Sequence, residues 1–343
     1  MMKKEELRIV FMGTPEFAVG TLQRLVEGGY NVVAVVTQPD KPVGRHQDTL
    51  QPSEVKRYAL EHGLPVLQPE KMKDPVFVEE LRSYGADLQV VVAFRMLPEV
   101  VWDMPRFGTF NVHAALLPQY RGAAPINWAV IYGETETGVT TFFLDHDIDT
   151  GRIIQKKTFA IPDDADVEYV YDGLMKLGAE LCLETLEMIV AADGHPETVS
   201  QEDVCVGKTA THSTQQGQPP CVLKAAPKIF KETCEIDWTK TAKQVYDFVR
   251  GLSPVPGAWT TLVSDDGKET VLKIYKAKKT EMVHGSGVMV QGSGALMVKD
   301  KSIFVACADE WLELTEVQLA GKKRMSARDF LNGMKALETY RVK

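Results

Sequence analysis

Two short apolar runs, separated by one helical segment, determine the fold class of this chain. The runs are LRIVFM at residues 7–12 and NVVAVVT at residues 31–37. Apolar runs of this length, here interrupted only by Arg8, are typical of strands buried on both faces of a parallel sheet. Between them, Thr14 can cap a helix that begins at Pro15. The order of strand, helix and strand predicts an α/β protein with a doubly wound, mostly parallel, Rossmann-like sheet.

The rest of the chain predicts a second, smaller domain. Strand and helix patterns alternate as far as residue 194, where a long amphipathic helix ends. Residues 195–225 are rich in Thr, Ser, Gln, Gly and Pro, which is typical of a linker. Residues 226–343 contain short strand-like segments at turn-rich spacing, and these predict a small β-barrel or sandwich. The sequence therefore predicts domains at 1–194 and 226–343.

The turn after the first strand argues against a dinucleotide cofactor. Its sequence is GTPEF at residues 13–17, and it lacks the second and third glycines with which a GxGxxG turn approaches a pyrophosphate. The chain also contains no P-loop pattern and no GxSxG motif. These absences favour chemistry that needs no covalent enzyme intermediate.

A polar pair in an otherwise apolar strand is the main candidate for chemistry. Asn111 and His113 lie two apart in GTFNVHA, and this spacing puts both side chains on one face of a strand. An amide can donate a hydrogen bond to a developing oxyanion, and an imidazole can donate or move a proton. Such a pair suits attack on a carbonyl by a nucleophile that the substrate carries. A purely structural hydrogen-bonding role is the alternative.

A run of aspartates follows the last strongly apolar strand. Asp145, Asp147 and Asp149 alternate in LDHDIDTG at residues 144–151. Three such carboxylates allow a metal site, although the run lacks the EF-hand loop pattern. The other interpretation is that one aspartate orients His113, since a nearby carboxylate favours the charged imidazole. We expect no metal.

The charge of the chain is unevenly distributed. Residues 1–207 carry 18 Lys and Arg against 32 Asp and Glu, a net charge of −14. Residues 208–343 carry 21 Lys and Arg against 15 Asp and Glu, a net charge of +6. Basic residues cluster in the second half, as in Lys322, Lys323 and Arg324, and this clustering predicts an anionic partner.

Five longer motifs extend over almost the whole chain. In chain order they read LRIVFMGTPEFAV, VTQPDKPVGR, NVHAALLPQYRGAAPINWA, GVTTFFLDHDIDTGRII and LAGKKRMSARDFLNG. They resemble those of the methionyl-tRNA formyltransferase family; the first four are partly shared with other formyltetrahydrofolate-dependent transferases, and the fifth is more specific to the tRNA enzymes. The resemblance implies transfer of a formyl group from 10-formyltetrahydrofolate to the α-amino group of methionyl initiator tRNA for translation initiation. The implied route is direct attack by the amine through a tetrahedral intermediate.

The same resemblance implies roles for particular residues. Asn111, His113 and Asp149 are the implied catalytic set, and Asp149 is chosen because it occupies the family's Asp-Thr-Gly position. Ala115 stands where the family has a serine in its folate-binding loop, so that hydroxyl is missing. The implied folate-binding residues are Ala115, Leu116, Leu117, Pro118, Phe94 and Met96, and the implied tRNA-binding residues are Arg45, Lys322, Lys323 and Arg324.

The resemblance also implies that residues 226–343 form an OB-like β-barrel that binds tRNA. We expect a monomer. We also expect no membrane partner, since no apolar run reaches the length of about 18 residues that a membrane-spanning helix requires. We expect it in the cytoplasm, because the start MMKKEELRIV lacks the apolar segment of a signal peptide. Two alternatives keep parts of this pattern. One is a formyltransferase that acts on an amino-sugar nucleotide, and the other is a noncatalytic RNA-binding protein.

Overall fold

The computed structural model describes most of the chain, in five stretches. Arg45, one of the residues named above, lies outside them. The described residues form two compact units, of which the first contains the start of the chain and the second contains its end. The stretches are 3–43, 49–205, 222–283, 292–334 and 337–343.

Helices and strands alternate through the first half of the chain, and strands predominate in the second. The first half contains β1 (Arg8–Gly13), α1 (Glu16–Glu27), β2 (Asn31–Val36), β3 (Lys41–Val43), β4 (Thr49–Gln51), α2 (Glu54–Glu61), β5 (Val66–Leu67), α3 (Pro75–Ser83), β6 (Leu88–Val92), α4 (Glu99–Trp102), β7 (Thr109–His113), β8 (Arg121–Gly122), α5 (Pro125–Ile131), β9 (Glu136–Phe143), β10 (Ile153–Ala160) and α6 (Val167–Ala191). The second half contains α7 (Gln201–Cys205), β11 (Ala225–Ala226), α8 (Ala242–Leu252), β12 (Ala258–Val263), β13 (Glu269–Val283), β14 (Leu296–Lys299), β15 (Ser302–Ala306), β16 (Glu310–Leu319), β17 (Met325–Ser326), α9 (Ala327–Gly333) and β18 (Arg341–Val342).

A seven-stranded sheet forms the centre of the first unit. Its strand order is β5-β2-β1-β6-β7-β9-β10, and the five strands from β5 to β7 are parallel. Strand β9 runs antiparallel to both of its neighbours, β7 and β10. Residues 9–12 of β1 are fully buried, as the apolar run predicts. The prediction of a doubly wound, mostly parallel sheet is confirmed.

The strand order identifies the edge of this sheet at which a site is expected. After β1 the chain adds β2 and β5 on one side, and it then crosses over to add β6 and β7 on the other. The carboxyl ends of β1, β6 and β7 are Gly13, Val92 and His113. They lie at the same edge because these strands are parallel. Ligands of doubly wound sheets bind at such an edge, where the strand order reverses.

An antiparallel sheet and helix α8 form most of the second unit. The strand order is β14-β15-β16-β13-β12-β18. An antiparallel bridge between Ala295 and Arg341 joins the two ends of this order, so the described strands close into a small barrel. Its core includes Val249 of α8 and Leu272 and Leu314 of the strands. The sequence allowed a barrel or a sandwich, and the bridge decides for the barrel.

Two short segments of the first half of the chain belong to the second unit. They are residues 123–135, which include α5, and residues 161–170. Within this unit the buried guanidinium of Arg250, on α8, donates a hydrogen bond to Ala165 O at 2.9 Å. The domain boundaries drawn from the sequence stay a prediction about how the chain divides.

Helix α6 is the element of the described chain that comes closest in length to a membrane-spanning helix. It has 25 residues, but six of them are charged, and they are spread along its length. Among the described residues, no helix combines the length and the apolar character that crossing a bilayer requires.

Two helical glycines give opposite predictions for stability. A Cβ at Gly173 of α6 would lie 2.1 Å from the ring of Phe159. We therefore expect Gly173→Ala to lower the free energy of unfolding by about 1–3 kcal/mol, the usual range for overpacking. A Cβ at Gly20 of α1 would have its nearest neighbour, Met175, at 3.7 Å. We expect Gly20→Ala to raise the free energy of unfolding by about 0.5–1 kcal/mol.

Urea denaturation of the two variants and the wild type measures both changes. Equal stability of Gly173→Ala and the wild type would show that the packing of α6 against Phe159 is not a constraint.

Candidate active site

Strand β7 presents the polar pair that the sequence singles out. Asn111 pairs with Phe142 and His113 with Thr140 of β9. Since the two residues are separated by one position of a strand, their side chains lie on the same face. His113 is the last residue of β7 and is 5% exposed, whereas Asn111 is half-buried. The sheet therefore holds an amide and an imidazole side by side at its carboxyl edge.

The hydrogen bonding of His113 determines which ring nitrogen can change its protonation. Nε2 lies 2.9 Å from Tyr120 O. A carbonyl oxygen only accepts, so Nε2 must carry the hydrogen. Nδ1 is then the nitrogen that gains or loses a proton, and it lies 3.9 Å from Oδ2 of Asp149. That distance exceeds a hydrogen bond, so the carboxylate and the imidazole are neighbours without a direct bond between them.

Asp149 is the aspartate of the 144–151 run that reaches His113. Its backbone has a φ of +56°, a conformation that Asp tolerates better than most residues. Its Oδ2 also accepts a hydrogen bond from Gly122 N at 2.9 Å. Asp145 instead accepts from Thr150 Oγ1 at 2.6 Å, within its own loop. The structure therefore brings together the aspartate implied by the resemblance and the imidazole, and it separates Asp145 from them.

The described residues contain no group of three His, Cys, Asp or Glu side chains that could hold a metal ion. The three alternating aspartates do not converge, because Asp145 accepts hydrogen bonds inside its own turn whereas Asp149 faces Gly122 N. The geometry of this loop supports the other interpretation, in which one aspartate, Asp149, lies next to His113.

Asn111 has hydrogen-bonding capacity that no described residue uses. Its Oδ1 is buried and has no partner among them. A buried polar atom without a partner costs about 1–3 kcal/mol, and a group that binds at the edge of the sheet can offset that cost for Asn111. The amide of Asn111 is therefore available to a substrate group at the edge of the sheet.

Thr140 fixes the loop that follows His113. Its Oγ1 donates to Ala115 O at 2.7 Å and accepts from Leu117 N at 3.1 Å. Lys156 Nζ adds a hydrogen bond to Leu117 O at 3.0 Å. These contacts hold the main chain of the implied folate loop without any side-chain hydroxyl at Ala115.

The other implied folate-binding residues differ in their exposure. Pro118 is buried and Leu116 is half-buried in the loop after β7. Phe94, just beyond the end of β6, packs against the core on one side of the sheet. Met96 is 71% exposed, so little of its side chain contributes to the fold. Since β6 and β7 are neighbours, both groups of residues lie at the carboxyl edge of the same sheet.

Two contributors to this site were not found from the sequence. Thr140 is a polar residue inside a buried strand, and that position was a signal that could have identified it. Gln201 lies in the stretch that we read as a linker, and it is 3% exposed. It binds the main chain of Asp149 and Gly151. No local sequence pattern marks this contact, because it joins residues about fifty positions apart.

The implied tRNA-binding cluster lies on the second unit. Lys322 and Lys323 are exposed. Arg324 makes a two-pronged ion pair with Glu316, at 2.6 and 2.8 Å, and lies over the ring of Tyr275. Hydrogen bonding from Arg324 holds the pKa of the Glu316 carboxyl below its usual range. The positive charge of Arg324 is therefore partly offset within the unit, whereas the two lysines present theirs to solvent.

Family models match both parts of the chain. The formyl transferase model matches residues 7–186, and the model of the formyl transferase C-terminal domain matches residues 228–335. The chain belongs to the formyl transferase family. It is 59% identical over 342 residues to a methionyl-tRNA formyltransferase from Parabacteroides distasonis, covering 99% of this chain and 100% of that protein. A methionyl-tRNA formyltransferase from Bacteroides fragilis is 53% identical, with 100% and 99% covered. The resemblance drawn from the motifs is confirmed.

Two solved structures, one of them an N-formyltransferase, share this fold. An N-formyltransferase from Helicobacter canadensis, in complex with folinic acid and dTDP-3-aminofucose, superposes with a TM-score of 0.58 at 17% identity, covering 94% of this chain and 100% of that one. HypX from Aquifex aeolicus, in complex with tetrahydrofolic acid, gives 0.54 at 20% identity and covers 94% of this chain. The present chain spans 46% of HypX. At these identities the likeness concerns the fold alone.

Two threonines of β9 give a matched prediction about the loop after His113. Thr140→Val removes both hydrogen bonds to the loop and leaves Ala115 O and Leu117 N without that partner. We expect the free energy of unfolding to fall by about 1–3 kcal/mol. Thr137 is also buried, but its hydroxyl has no hydrogen-bond partner among the described residues. We therefore expect Thr137→Val to leave stability unchanged or slightly raised.

Thermal unfolding of both variants measures the difference. An equal loss of stability in the two would mean that Thr140 acts through packing and that its hydroxyl does not support the loop.

Proposed function

We propose that this protein transfers the formyl group of 10-formyltetrahydrofolate to the α-amino group of methionyl initiator tRNA, for translation initiation. The observation that carries the proposal is the 59% identity over nearly the whole chain to a protein named methionyl-tRNA formyltransferase. The geometry supports it, because Asn111, His113 and Asp149 lie at the edge of the sheet where such a fold binds its ligands. That arrangement favours an enzyme over a noncatalytic RNA-binding protein.

The unpartnered oxygen at the carboxyl end of β7 fits a substrate that brings an N–H group, as the attacking amine does. Asn111 Oδ1 lacks a partner among the described residues, and a bound substrate can supply one. The folate donor supplies the formyl group when it is bound. We assign the folate to the loop of Ala115, Leu116, Leu117 and Pro118 after His113, and to Phe94 and Met96 beyond β6. Ala115, Leu117 and Pro118 are buried and shape the loop, so Leu116, Phe94 and Met96 are the side chains with surface for a ligand.

Asn111 and His113 act on the charge that develops when the amine attacks the formyl carbon. The amide NH₂ of Asn111 donates to the formyl oxygen, where negative charge grows as the new bond forms. Its Oδ1 accepts from an N–H of the attacking amine. The Nε2–H of His113 already binds Tyr120 O, so Nδ1 is the atom that takes the proton lost by the amine as its bond to the formyl carbon forms. Nδ1 returns that proton to the folate nitrogen when the bond between this nitrogen and the formyl carbon breaks.

Asp149 stabilises the charged form of His113. Its Oδ2 lies 3.9 Å from Nδ1, where opposite charges attract without a direct hydrogen bond. The gap leaves Nδ1 available to a substrate atom, because no hydrogen bond to the carboxylate occupies it. Gly122 N keeps the carboxylate in place at the same time.

The second unit supplies the charge that a tRNA acceptor requires. We assign phosphate contacts to Lys322 and Lys323, and contacts to the tRNA also to Arg324 and to Arg45. Arg324 contributes less charge than the lysines because Glu316 offsets it. We further propose a catalytic domain at 1–194, a linker at 195–225 and a tRNA-binding domain at 226–343, in a protein that acts as a monomer in the cytoplasm.

A formyl-transfer assay tests this function directly. The purified protein is mixed with 10-formyltetrahydrofolate and either methionyl initiator tRNA, uncharged initiator tRNA or an amino-sugar nucleotide. We expect a formylated product with the charged tRNA alone, because the reacting amine belongs to the esterified methionine. Product from the amino-sugar nucleotide alone would contradict the proposed acceptor while keeping the reaction class.

The variants His113→Ala and Asn111→Ala are the controls for that assay. We expect Asn111→Ala to lower kcat about 100- to 1000-fold, as the loss of an oxyanion-stabilising donor does. We expect His113→Ala to lower kcat about 100- to 10,000-fold, as the loss of a general acid–base does. Circular dichroism checks that the variants are folded. Near-normal turnover of either folded variant would remove that residue from the proposed mechanism.

The lysine pair gives a prediction about salt dependence. The double variant Lys322→Ala/Lys323→Ala removes two phosphate contacts, so we expect the slope of log Kd for tRNA against log salt concentration to decrease by about 2. The matched control is Lys71→Ala/Lys73→Ala, which changes the charge equally at two exposed lysines of the first unit. Equal slopes in both double variants would show that the cluster at Lys322 does not meet phosphate.

A further inference from the structure

The side chain of Gln201 uses its whole hydrogen-bonding capacity at the candidate site. Nε2 donates to Asp149 O at 2.8 Å and to Gly151 O at 2.9 Å. Oε1 accepts from Nε and Nη2 of Arg121, at 3.0 and 2.6 Å. The reverse orientation would set Oε1 against two carbonyl oxygens and the NH₂ group against a guanidinium. The amide orientation is therefore determined by its partners.

The segment that Gln201 binds is one that needs external support. Asp149 has a φ of +56°, which is uncommon for a residue with a Cβ and persists where the surroundings hold it. Gly151 follows two positions later, where a Cβ would lie 1.7 Å from Phe143 O. The turn is thus closely packed on one side and held by Gln201 through its main-chain carbonyls.

Gln201 is itself anchored by the strand that leaves this turn. Ile153 and Val199 exchange two main-chain hydrogen bonds, at 2.8 and 2.9 Å. Ser200 Oγ then accepts from Asp203 N at 3.1 Å and so fixes the start of α7. The position of Gln201 relative to the Asp149 turn is therefore set by main-chain geometry on both sides.

We propose that Gln201 is a positioning residue for Asp149, and that Arg121 orients its amide. The proposal rests on the proposed function, in which Asp149 acts on His113. Two bridges join the same pair of loops: Gly122 N binds the carboxylate of Asp149, and Arg121 reaches its main chain through Gln201. Loss of the second bridge lets the carboxylate move relative to Nδ1 of His113.

The variant Gln201→Glu tests this role because it keeps the size of the side chain and the contact with Arg121. A carboxylate has no hydrogens to donate, so both bonds to the Asp149 turn are lost. We expect kcat to fall about 100-fold, the effect of misplacing a group by roughly 1 Å. We expect the KM values for folate donor and tRNA to stay unchanged. An unchanged kcat would overturn the proposal.

A matched control separates positioning from loss of stability. Gln89 is fully buried, and its Oε1 accepts from Thr109 Oγ1. We expect Gln201→Met and Gln89→Met both to lower the melting temperature, and Gln201→Met alone to lower kcat. Equal effects on kcat would overturn the proposal. If Gln201→Met does not fold, Arg121→Met replaces it. Arg121→Met leaves Gln201 in place but removes the partner that orients the Gln201 amide.

A double-variant cycle tests whether Gln201 acts through Asp149. In the Asp149→Ala background the turn has no carboxylate to place, so Gln201→Glu should cause almost no further loss of kcat. A loss of the same factor in both backgrounds would mean that Gln201 acts by another route.

Hydrogen exchange at Gly122 N provides a readout that does not depend on activity. This amide donates to the Asp149 carboxylate, so we expect its protection to be lost in Gln201→Glu and retained in Gln89→Met. Unchanged protection in Gln201→Glu would overturn the positioning role. If the wild type transfers no formyl group but protection is lost as expected, the proposed function fails and the positioning of Asp149 stands.

Discussion

The register of β7 between β6 and β9 is the constraint on which the candidate site depends. Asn111 pairs with Val91 on one side and with Phe142 on the other. A shift of one residue would turn both Asn111 and His113 to the opposite face of the sheet. The side chains of Phe110 and Val112, both buried, point to the opposite face of the sheet. The same shift would therefore put polar side chains where these apolar ones are buried. The packing of the sheet thus determines the placement of the reactive groups.

Much of the fold is predictable from local pattern, because its strands carry their own signal. The run at residues 7–12 is apolar because β1 is buried on both faces, and the spacing of Asn111 and His113 is a property of any strand. The distinction between a barrel and a sandwich is different, since it depends on a bridge between Ala295 and Arg341. No local pattern reports a pairing between residues so far apart.

The candidate site, like the fold, is only partly predictable from the sequence. The resemblance picked out Asp149, but the reason that Asp145 is separate lies in its bond to Thr150, which depends on how the turn folds. Gln201 could not be predicted because it lies in a polar stretch whose composition suggests a linker. Arg324 belongs to a basic cluster in the sequence, yet its partner Glu316 reduces the charge that it presents. In each case a tertiary contact modifies what the residue type alone suggests.

The support of the imidazole by main chain has a consequence for how such a protein can change. Tyr120 meets Nε2 of His113 with its carbonyl oxygen, and Gly122 meets the Asp149 carboxylate with its N–H. Both contacts depend on the course of the backbone, which has φ values of +60° at Tyr120 and +128° at Gly122. Glycine adopts such a conformation freely and other residues do so at a cost, so a substitution at Gly122 would disturb the carboxylate of Asp149 without removing any side chain from the candidate site.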